Sequence, residues 1–432
     1  MTRAKRAATA LLQRAVFCIE RFGEHELANH AAAGAYAFLL SAMPAVLLAL
    51  DLVSALLRAR PGVIAEAQRT VASFLGAMAT EDAVRAFFDR PLGALAAIIG
   101  GLSLLYSARL LIVTIQRGLR VVRGASGKGG VLRDSLLGFA LELLALLAVV
   151  AILAISEAMR FISEVPGQGA ELFFGGSIRL TARLLPAAVL LAFVYINYRL
   201  SPSERPSRRT ALGAALLCVL ASLACSSVFG LFMNGARYNL LYGIFGNLIV
   251  LLANVYFFFC FFFGFAELVY VEQNFDALLF ARFQRALRSS GSARLERALF
   301  RKPERLFERY GRSFARGELV FSAGEAGQEA YFVHSGAIGI YVPSSGGELR
   351  LATIEAGDIF GEMALIQGEA RSATARAEDQ SLVLLIPPEV FELYLAADDG
   401  APRRLIELLS ERLRRANERI AADPGADAHV GR

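Results

Sequence analysis

Phe360-Gly361-Glu362-Met363-Ala364-Leu365, followed at a short distance by Arg371-Ser372-Ala373-Thr374, is the stretch around which the chain is read. Gly361 and Ala364 are small, so backbone can come close to a ligand. A short helical turn starting here aims free N–H groups and the positive end of its dipole at an anion. Arg371 offers a planar guanidinium that can fork onto two phosphate oxygens. Glu362 is a poor neighbour for a phosphate and a good acceptor for a hydroxyl on the same ligand. An anion site, a fixed Arg and a carboxylate a sugar's width away point to a cyclic nucleotide.

Downstream and upstream of this stretch, from Phe314, apolar residues recur with period two. Leu319–Phe321, Tyr331–Val333, Ile338–Val342, Leu349–Ile354, Ala373–Ala377 and Leu382–Ile386 are predicted strands separated by Gly-bearing turns. Pro387–Leu395 and Pro402–Ile420 are predicted helices, the last with an apolar stripe of Leu405, Leu408, Leu409, Leu413 and Ile420. The expected fold is an antiparallel β-roll or jelly roll with flanking helices.

The stretch resembles the phosphate-binding cassette of the cyclic-nucleotide-binding domain family, whose pattern is Phe-Gly-Glu-aliphatic-Ala-Leu and then a Pro/Val-Arg-small-Ala step. The resemblance implies ligand contacts at Phe360, Gly361, Glu362, Met363, Ala364, Leu365, Arg371, Ser372 and Ala373. It implies cAMP or cGMP as a regulatory ligand, with no metal. Gly317, Gly324, Gly336 and Gly357 sit where the family's β-roll turns, and the last helix resembles its lid. Two positions depart from the pattern. Ala370 replaces the usual Pro or Val, and Ser372 stands where Ala is common in cAMP-selective relatives. A hydroxyl there can contact the guanine amino group of a syn ligand, as Thr does in cGMP-selective relatives. Ser is shorter, which keeps cAMP first and cGMP a close second.

The rest of the chain has a different composition. Of 432 residues, 56% are hydrophobic, and the mean hydropathy of +0.49 is that of a membrane protein. Long Ala, Leu, Val, Phe and Gly runs fill residues 29–272. Six spans are predicted: Ala31–Leu57, Pro91–Val113, Leu132–Ile155, Ile178–Leu200, Thr210–Met233 and Ile244–Val271. The net charge of +6 is mostly Arg, clustered before the first span, between the second and third, between the fourth and fifth, and after the sixth. That spacing places both termini in the cytoplasm. The connection at 58–90 is the exception, with five Arg offset by acids.

Several motifs are set aside. Gly124–Gly130 looks like a phosphate loop, but too few residues separate its glycines and no Ser or Thr follows Lys128. The four cysteines and four histidines show no metal-like spacing. No basic run is interleaved with aromatics, so no nucleic-acid partner is expected. No cleavable signal precedes the first apolar run.

Ala31-Ala32-Ala33-Gly34-Ala35-Tyr36, Ser41 with Pro44, Tyr242-Gly243 and Gly264-Phe265-Ala266-Glu267 occur in this order among the spans. Together they resemble the YihY/BrkB family of bacterial inner-membrane proteins, over about residues 10–280. Asn254 stands where many relatives carry Trp, and Phe265 is inserted into the family's Gly-Ala-Glu. The family has no settled activity, and no catalytic cluster supports a ribonuclease label. Transport or translocation of a lipid or solute is its natural implication. Glu142, Asn254, Glu267 and Pro44 are the membrane-pathway candidates, with Glu142 near the midplane and Glu267 better suited to interfacial anchoring.

The expected organisation is an amphipathic N-terminal helix (1–28), a six-span membrane domain (29–272), a helical coupler (273–313), a cyclic-nucleotide-binding domain (314–422) and a flexible tail (423–432). The helix lies on the cytoplasmic membrane surface or docks on the protein's own bundle. The favoured function is a translocase of the bacterial inner membrane regulated by cyclic nucleotide. A membrane-anchored sensor without transport is the alternative, and an enzyme is not expected. The bilayer and the nucleotide are the expected partners, and a homo-oligomer is compatible with the sequence.

Overall fold

The computed structural model describes residues 3–57, 94–124, 187–199, 206–233, 236–288, 294–301, 303–344, 347–397 and 400–422. Glu142, the third expected span, the connection at 58–90, most of the loop at 124–130 and the tail lie outside them. The chain divides into two compact units, residues 15–273 and residues 1–14 with 274–432.

In the first unit the helices are α1 (Arg3–Glu24, whose first residues belong to the other unit), α2 (Leu27–Leu57), α3 (Ala94–Val122), α4 (Ala187–Arg199), α5 (Arg208–Met233) and α6 (Ala236–Gln273). Glu26, with φ of 49°, separates α1 from α2. The core is built by setting rings against small residues. Phe259, Phe262 and Phe263 of α6 are buried with Ala31 and Ala35 of α2, Leu119 of α3 and Ala211 and Ala215 of α5. A Cβ on Gly118 of α3 would collide with the Phe263 ring, and one on Gly34 of α2 would lie 3.0 Å from Phe259. Small residues on α2 and α3 therefore let the Phe-rich α6 approach closely. Tyr198 is fully buried and donates to the Phe262 carbonyl at 2.7 Å.

The six-span expectation is corrected. Among the described residues two segments, Arg208–Gly230 and Ile249–Gln273, are long and apolar enough to cross a membrane. Crossing a hydrocarbon core of about 30 Å takes about 20 consecutive, predominantly apolar residues in one helix. The fourth expected span, for instance, is described only as the shorter helix Ala187–Arg199.

In the second unit α7 (Phe275–Arg288), α8 (Arg294–Phe300) and α9 (Glu304–Tyr310) precede the strands. Asp276 gathers Arg305 Nε at 2.6 Å, Arg309 Nη1 at 2.5 Å and the Tyr310 hydroxyl at 3.1 Å, which ties α7 to α9. Residues of α1 join this unit through Gln13, whose amide donates to the Leu299 carbonyl, and through Arg6, which pairs with Glu304 and Glu308. The strands are β1 (Gly311–Phe314), β2 (Leu319–Phe321), β3 (Ala330–Ser335), β4 (Ile338–Ser344), β5 (Gly347–Ile354), β6 (Ile359–Phe360), β7 (Thr374–Ala377) and β8 (Ser381–Ile386). The helix α10 (Glu362–Gln367) follows β6, and α11 (Pro388–Ala397) and α12 (Ala401–Ala422) end the unit.

The strands form two antiparallel sheets, in the orders β1-β8-β3-β6 and β2-β7-β4-β5. Alternate residues of both sheets, among them Phe314, Phe321, Val333, Ile338, Ile354, Ala375 and Val383, share one core. The opposite face of β3 carries Phe332, covered by Phe280 and Phe283 of α7. The expected jelly roll is also corrected. Both sheets are open: among the described residues no ladder closes one onto the other, and β1, β6, β2 and β5 remain edges. With two residues in β6 and three in β2, these edges carry too few backbone groups to close a roll.

Candidate functional site

Phe360 ends β6 buried in the sandwich, with its ring stacked on Tyr331 at 5.1 Å and on Phe321 at 6.0 Å. The chain then turns sharply. Gly361 has φ of 73° and ψ of 2°, and it caps α10 without a side-chain hydrogen bond. A Cβ there would lie 2.9 Å from Arg371 Nη1 and 2.9 Å from Tyr331. Glycine is thus required twice, for its left-handed backbone and for the approach of Arg371.

Arg371 lies in the turn between α10 and β7. Its backbone N–H donates to the Glu325 carbonyl, and its own carbonyl accepts from Gly324, which pins it to the β2–β3 connection. Arg371 is only 4% exposed. It donates to the Gly361 carbonyl at 2.7 Å and to the Glu329 carbonyl at 2.9 Å. It lies over the rings of Phe321 and Tyr331, with the Glu329 carboxylate 3.6 Å away. A Cβ on Gly327 would meet it at 2.8 Å. These contacts occupy two of the five N–H donors of a guanidinium.

Glu362 is the first residue of α10 and is 1% exposed. Its Oε1 accepts from Arg412 Nη1 of α12 at 3.0 Å, and its Oε2 has no hydrogen-bond partner among the described residues. Burial raises its pKa above the usual carboxylate value, while Arg412 and Arg371 oppose the rise. Ala364 and Ala373 are buried beneath the turn, Leu365 is half-buried, and Met363 and Ser372 are exposed. The fold therefore gathers an arginine, a carboxylate and a tight glycine turn at one corner. Glu329, Gly327, Phe321, Tyr331 and Arg412 also shape this corner. Sequence reasoning did not find them, because they come from β2, the β2–β3 connection, β3 and α12 and carry no local pattern.

Residues 18–285 match the family model described as virulence factor BrkB. The chain belongs to the BrkB family. Its BrkB region is joined to a cyclic nucleotide-binding domain, whose family model matches residues 311–398. A cyclic nucleotide, cAMP or cGMP, is the ligand class of that domain. Both matched modules are non-catalytic. Among the described residues no cluster of three His, Cys, Asp or Glu side chains could hold a metal ion.

The chain is 37% identical over 111 residues to the cyclic AMP receptor protein of Thermus thermophilus, covering 24% of this chain and 50% of that one. It is 28% identical over 109 residues to a CRP-like cAMP-activated global transcriptional regulator of Mycobacterium tuberculosis, covering 25% and 49%. Among solved structures it is similar to the cAMP-bound form of the EAL enzyme Bd1971, at 32% identity and a TM-score of 0.21, covering 26% of this chain and 30% of that one. The BrkB-family chain thus spans half or less of the length of these relatives.

These relatives correct the exclusion of nucleic acid. The matched region is shared with a protein named as a transcriptional regulator. The exclusion rested on the lack of basic residues interleaved with aromatics, which tests for single-strand grooves. Duplex DNA is held by Lys and Arg on its phosphates and by a helix in a groove, and neither needs that pattern.

In the BrkB region, Glu267 on α6 is fully buried and accepts from Arg21 Nε at 2.8 Å and from His25 Nδ1 at 2.5 Å. Arg21 also donates to the Val122 carbonyl, so this carboxylate joins α1, α3 and α6. Asn254 accepts from Ser226 Oγ at 2.9 Å, joining α6 to α5. Pro44 lies inside α2 and is half-buried. These three residues sit on separate contacts, and the described elements do not bring them to one site.

Proposed function

We propose that this BrkB-family protein is a membrane-anchored sensor of cytoplasmic cyclic nucleotide. The observation that carries the reading is the corner at Gly361, where buried Arg371 and buried Glu362 flank one glycine turn. In this reading the phosphate binds Arg371 and the backbone amides of Gly361–Ala364. It replaces the half-exposed Glu329 carboxylate as the counter-ion of Arg371. Glu362 Oε2 accepts the ribose 2′-OH. The exposed Ser372 meets the base and bears on the choice between cAMP and cGMP.

The membrane part, residues 29–272, supplies the anchor in the bacterial inner membrane, with both termini cytoplasmic. Residues 273–313 link it to the sensing domain at 314–422. A nucleotide biases such a protein only through its differential affinity for two states, worth about 1–3 kcal/mol in typical allostery. The pairings of Glu267 and Asn254 support structural roles for these residues, and this favours sensing over transport.

Hydrogen exchange on the reconstituted chain tests the proposal. Saturating cAMP should protect peptides covering 359–377 and change exchange near 273–313, with no nucleotide-dependent flux or lipid scrambling in liposomes. Flux that switches on with nucleotide would replace the sensor by a regulated translocase.

A further inference from the structure

We propose that the cavity where the end of α1 meets α2 and α3 holds the headgroup of one membrane phospholipid, of the phosphoethanolamine class. The proposal concerns the BrkB region alone and is independent of the cyclic-nucleotide reading. The cavity measures about 570 Å³, within the usual range for small-molecule sites. It is lined by Glu24, His25, Glu26, Asn29 and His30 from the α1–α2 corner and by Arg117 from the last turns of α3. Its depth in the bilayer is set by α6. His25 bonds through Nδ1 to Glu267, and the His30 ring lies edge-on to Phe263 at 6.3 Å. Both partners belong to the candidate spanning segment Ile249–Gln273, and Glu267 lies less than two turns from its end. The cavity therefore lies at the level where a bilayer changes from hydrocarbon to headgroups.

The chemistry of the lining selects the headgroup. Arg117, exposed at the cavity, offers a planar guanidinium to phosphate oxygens. Glu267 occupies Nδ1 of His25, which leaves Nε2 as the ring nitrogen for the cavity, so the buried carboxylate positions that imidazole. Glu24 and Glu26 supply the opposite charge, and the Asn29 amide orients Glu26 by donating to its Oε2 at 3.1 Å. Both signs in one cavity suit a zwitterion. A primary ammonium brings N–H donors for the two carboxylates, and a trimethylammonium has none. The surface beyond the cavity favours a lipid over a free phosphoester. On α2 the lining residues Asn29 and Ala33 continue at helical spacing to Tyr36 and Leu40, and on α3 Arg117 and Thr114 continue to Leu110 and Tyr106. Tyr36, Leu40 and Tyr106 are exposed, and α2 and α3 pack side by side. A polar cavity thus opens onto an apolar track along two neighbouring helices, the profile of a phospholipid from head to acyl chains. Exposed tyrosine near this depth is typical of a membrane interface.

The test is native mass spectrometry of the full chain in detergent. Phosphatidylethanolamine, phosphatidylcholine and phosphatidylglycerol with the same acyl chains are added in equal amounts, and soluble phosphoethanolamine serves as the competitor. The wild-type chain should retain one phosphatidylethanolamine, favoured by about tenfold or more over the other two, the value of one hydrogen bond to a charged group. Glu24→Gln combined with Glu26→Gln should erase the preference over phosphatidylcholine. Arg117→Ala should weaken all three lipids by about tenfold and keep their order. All three side chains are exposed, so these substitutions leave the fold intact, and unchanged melting temperatures are the check. Equal retention of the three lipids, or a preference untouched in the Glu24 and Glu26 double variant, would overturn the proposal. Displacement of the lipid by soluble phosphoethanolamine at equal concentration would assign the cavity to a free phosphoester and overturn the lipid assignment.

Discussion

Gly361 and Gly368 bracket α10 and form an internal control for the geometry of the site. Both are left-handed, at φ of 73° and 69°. Beyond Gly361 a Cβ would meet Arg371 Nη1 and Tyr331 at 2.9 Å, whereas at Gly368 nothing lies within 4 Å. Alanine at either position incurs the left-handed penalty of about 1–2 kcal/mol. At Gly361 it also pushes Arg371 off the Gly361 carbonyl, a bond from a charged donor worth about 1.5–3 kcal/mol. Gly361→Ala should therefore cost about 3–5 kcal/mol, and Gly368→Ala about 1–2 kcal/mol. The chain has no Trp, so hydrogen exchange of β3 and β7 peptides in the detergent-solubilised protein is the suitable readout. The excess of about 2–3 kcal/mol corresponds to roughly 30- to 150-fold faster exchange in Gly361→Ala than in Gly368→Ala. Equal exchange in the two variants would refute the claim that Arg371 is held against the Gly361 turn.

Three further predictions follow from individual contacts. Asp276→Asn removes the charge that joins α7 to α9 and should cost about 1–3 kcal/mol, the low end reflecting the exposure of Arg305 and Arg309. The same variant should lower the Tyr310 phenol from about 12, since after burial the charge and hydrogen bond of Asp276 are the causes that raise it; NMR titration of labelled tyrosine reads this. Glu267→Gln strands Arg21 beside a neutral, buried amide and should cost the membrane unit about 3–5 kcal/mol, seen as a lower melting temperature in detergent. Glu362 has a raised pKa, so between the ordinary carboxylate value and its own the folded state keeps a proton that the unfolded state has lost. Stability should fall as pH rises through that window, level off above it, and lose this dependence in Glu362→Gln when unfolding is followed against pH.

The cassette was legible because its signals are contiguous. Phe360, Gly361, Glu362 and Ala364 occupy one turn, and Arg371 follows within the same connection. Six of the eight strands were legible from period two: β2 at the expected bounds, β7 shorter by one residue, and the others longer by one to three residues. β1 was missed because Gly311-Arg312-Ser313-Phe314 has a single buried apolar residue, and β6 because two residues carry no period. Sheet order was not legible, since pairing β3 with β8 joins residues some fifty positions apart and is set by the shared core. Helix packing in the membrane unit was partly legible. The Ala/Gly run of α2 carried a family resemblance, but only the structure shows that Gly34 faces the Phe259 ring and that Ala31 and Ala35 share a core with Phe259 and Phe263. Arg412 gave no signal, because nothing local separates it from the other arginines of α12, and its contacts with Glu362 and Ile359 are long-range. Among the described residues, open sheets stand in place of the expected roll and two spanning candidates in place of six spans; closure depends on which strands pair, and composition does not report pairing.

The most direct test of the central claim is calorimetry of the full-length chain in detergent, titrated with cAMP and cGMP, beside Arg371→Ala. Saturable binding of at least one nucleotide, at one site per chain and abolished by Arg371→Ala, is the predicted result. No binding of either nucleotide at millimolar concentration, or binding unchanged in Arg371→Ala, would contradict the account.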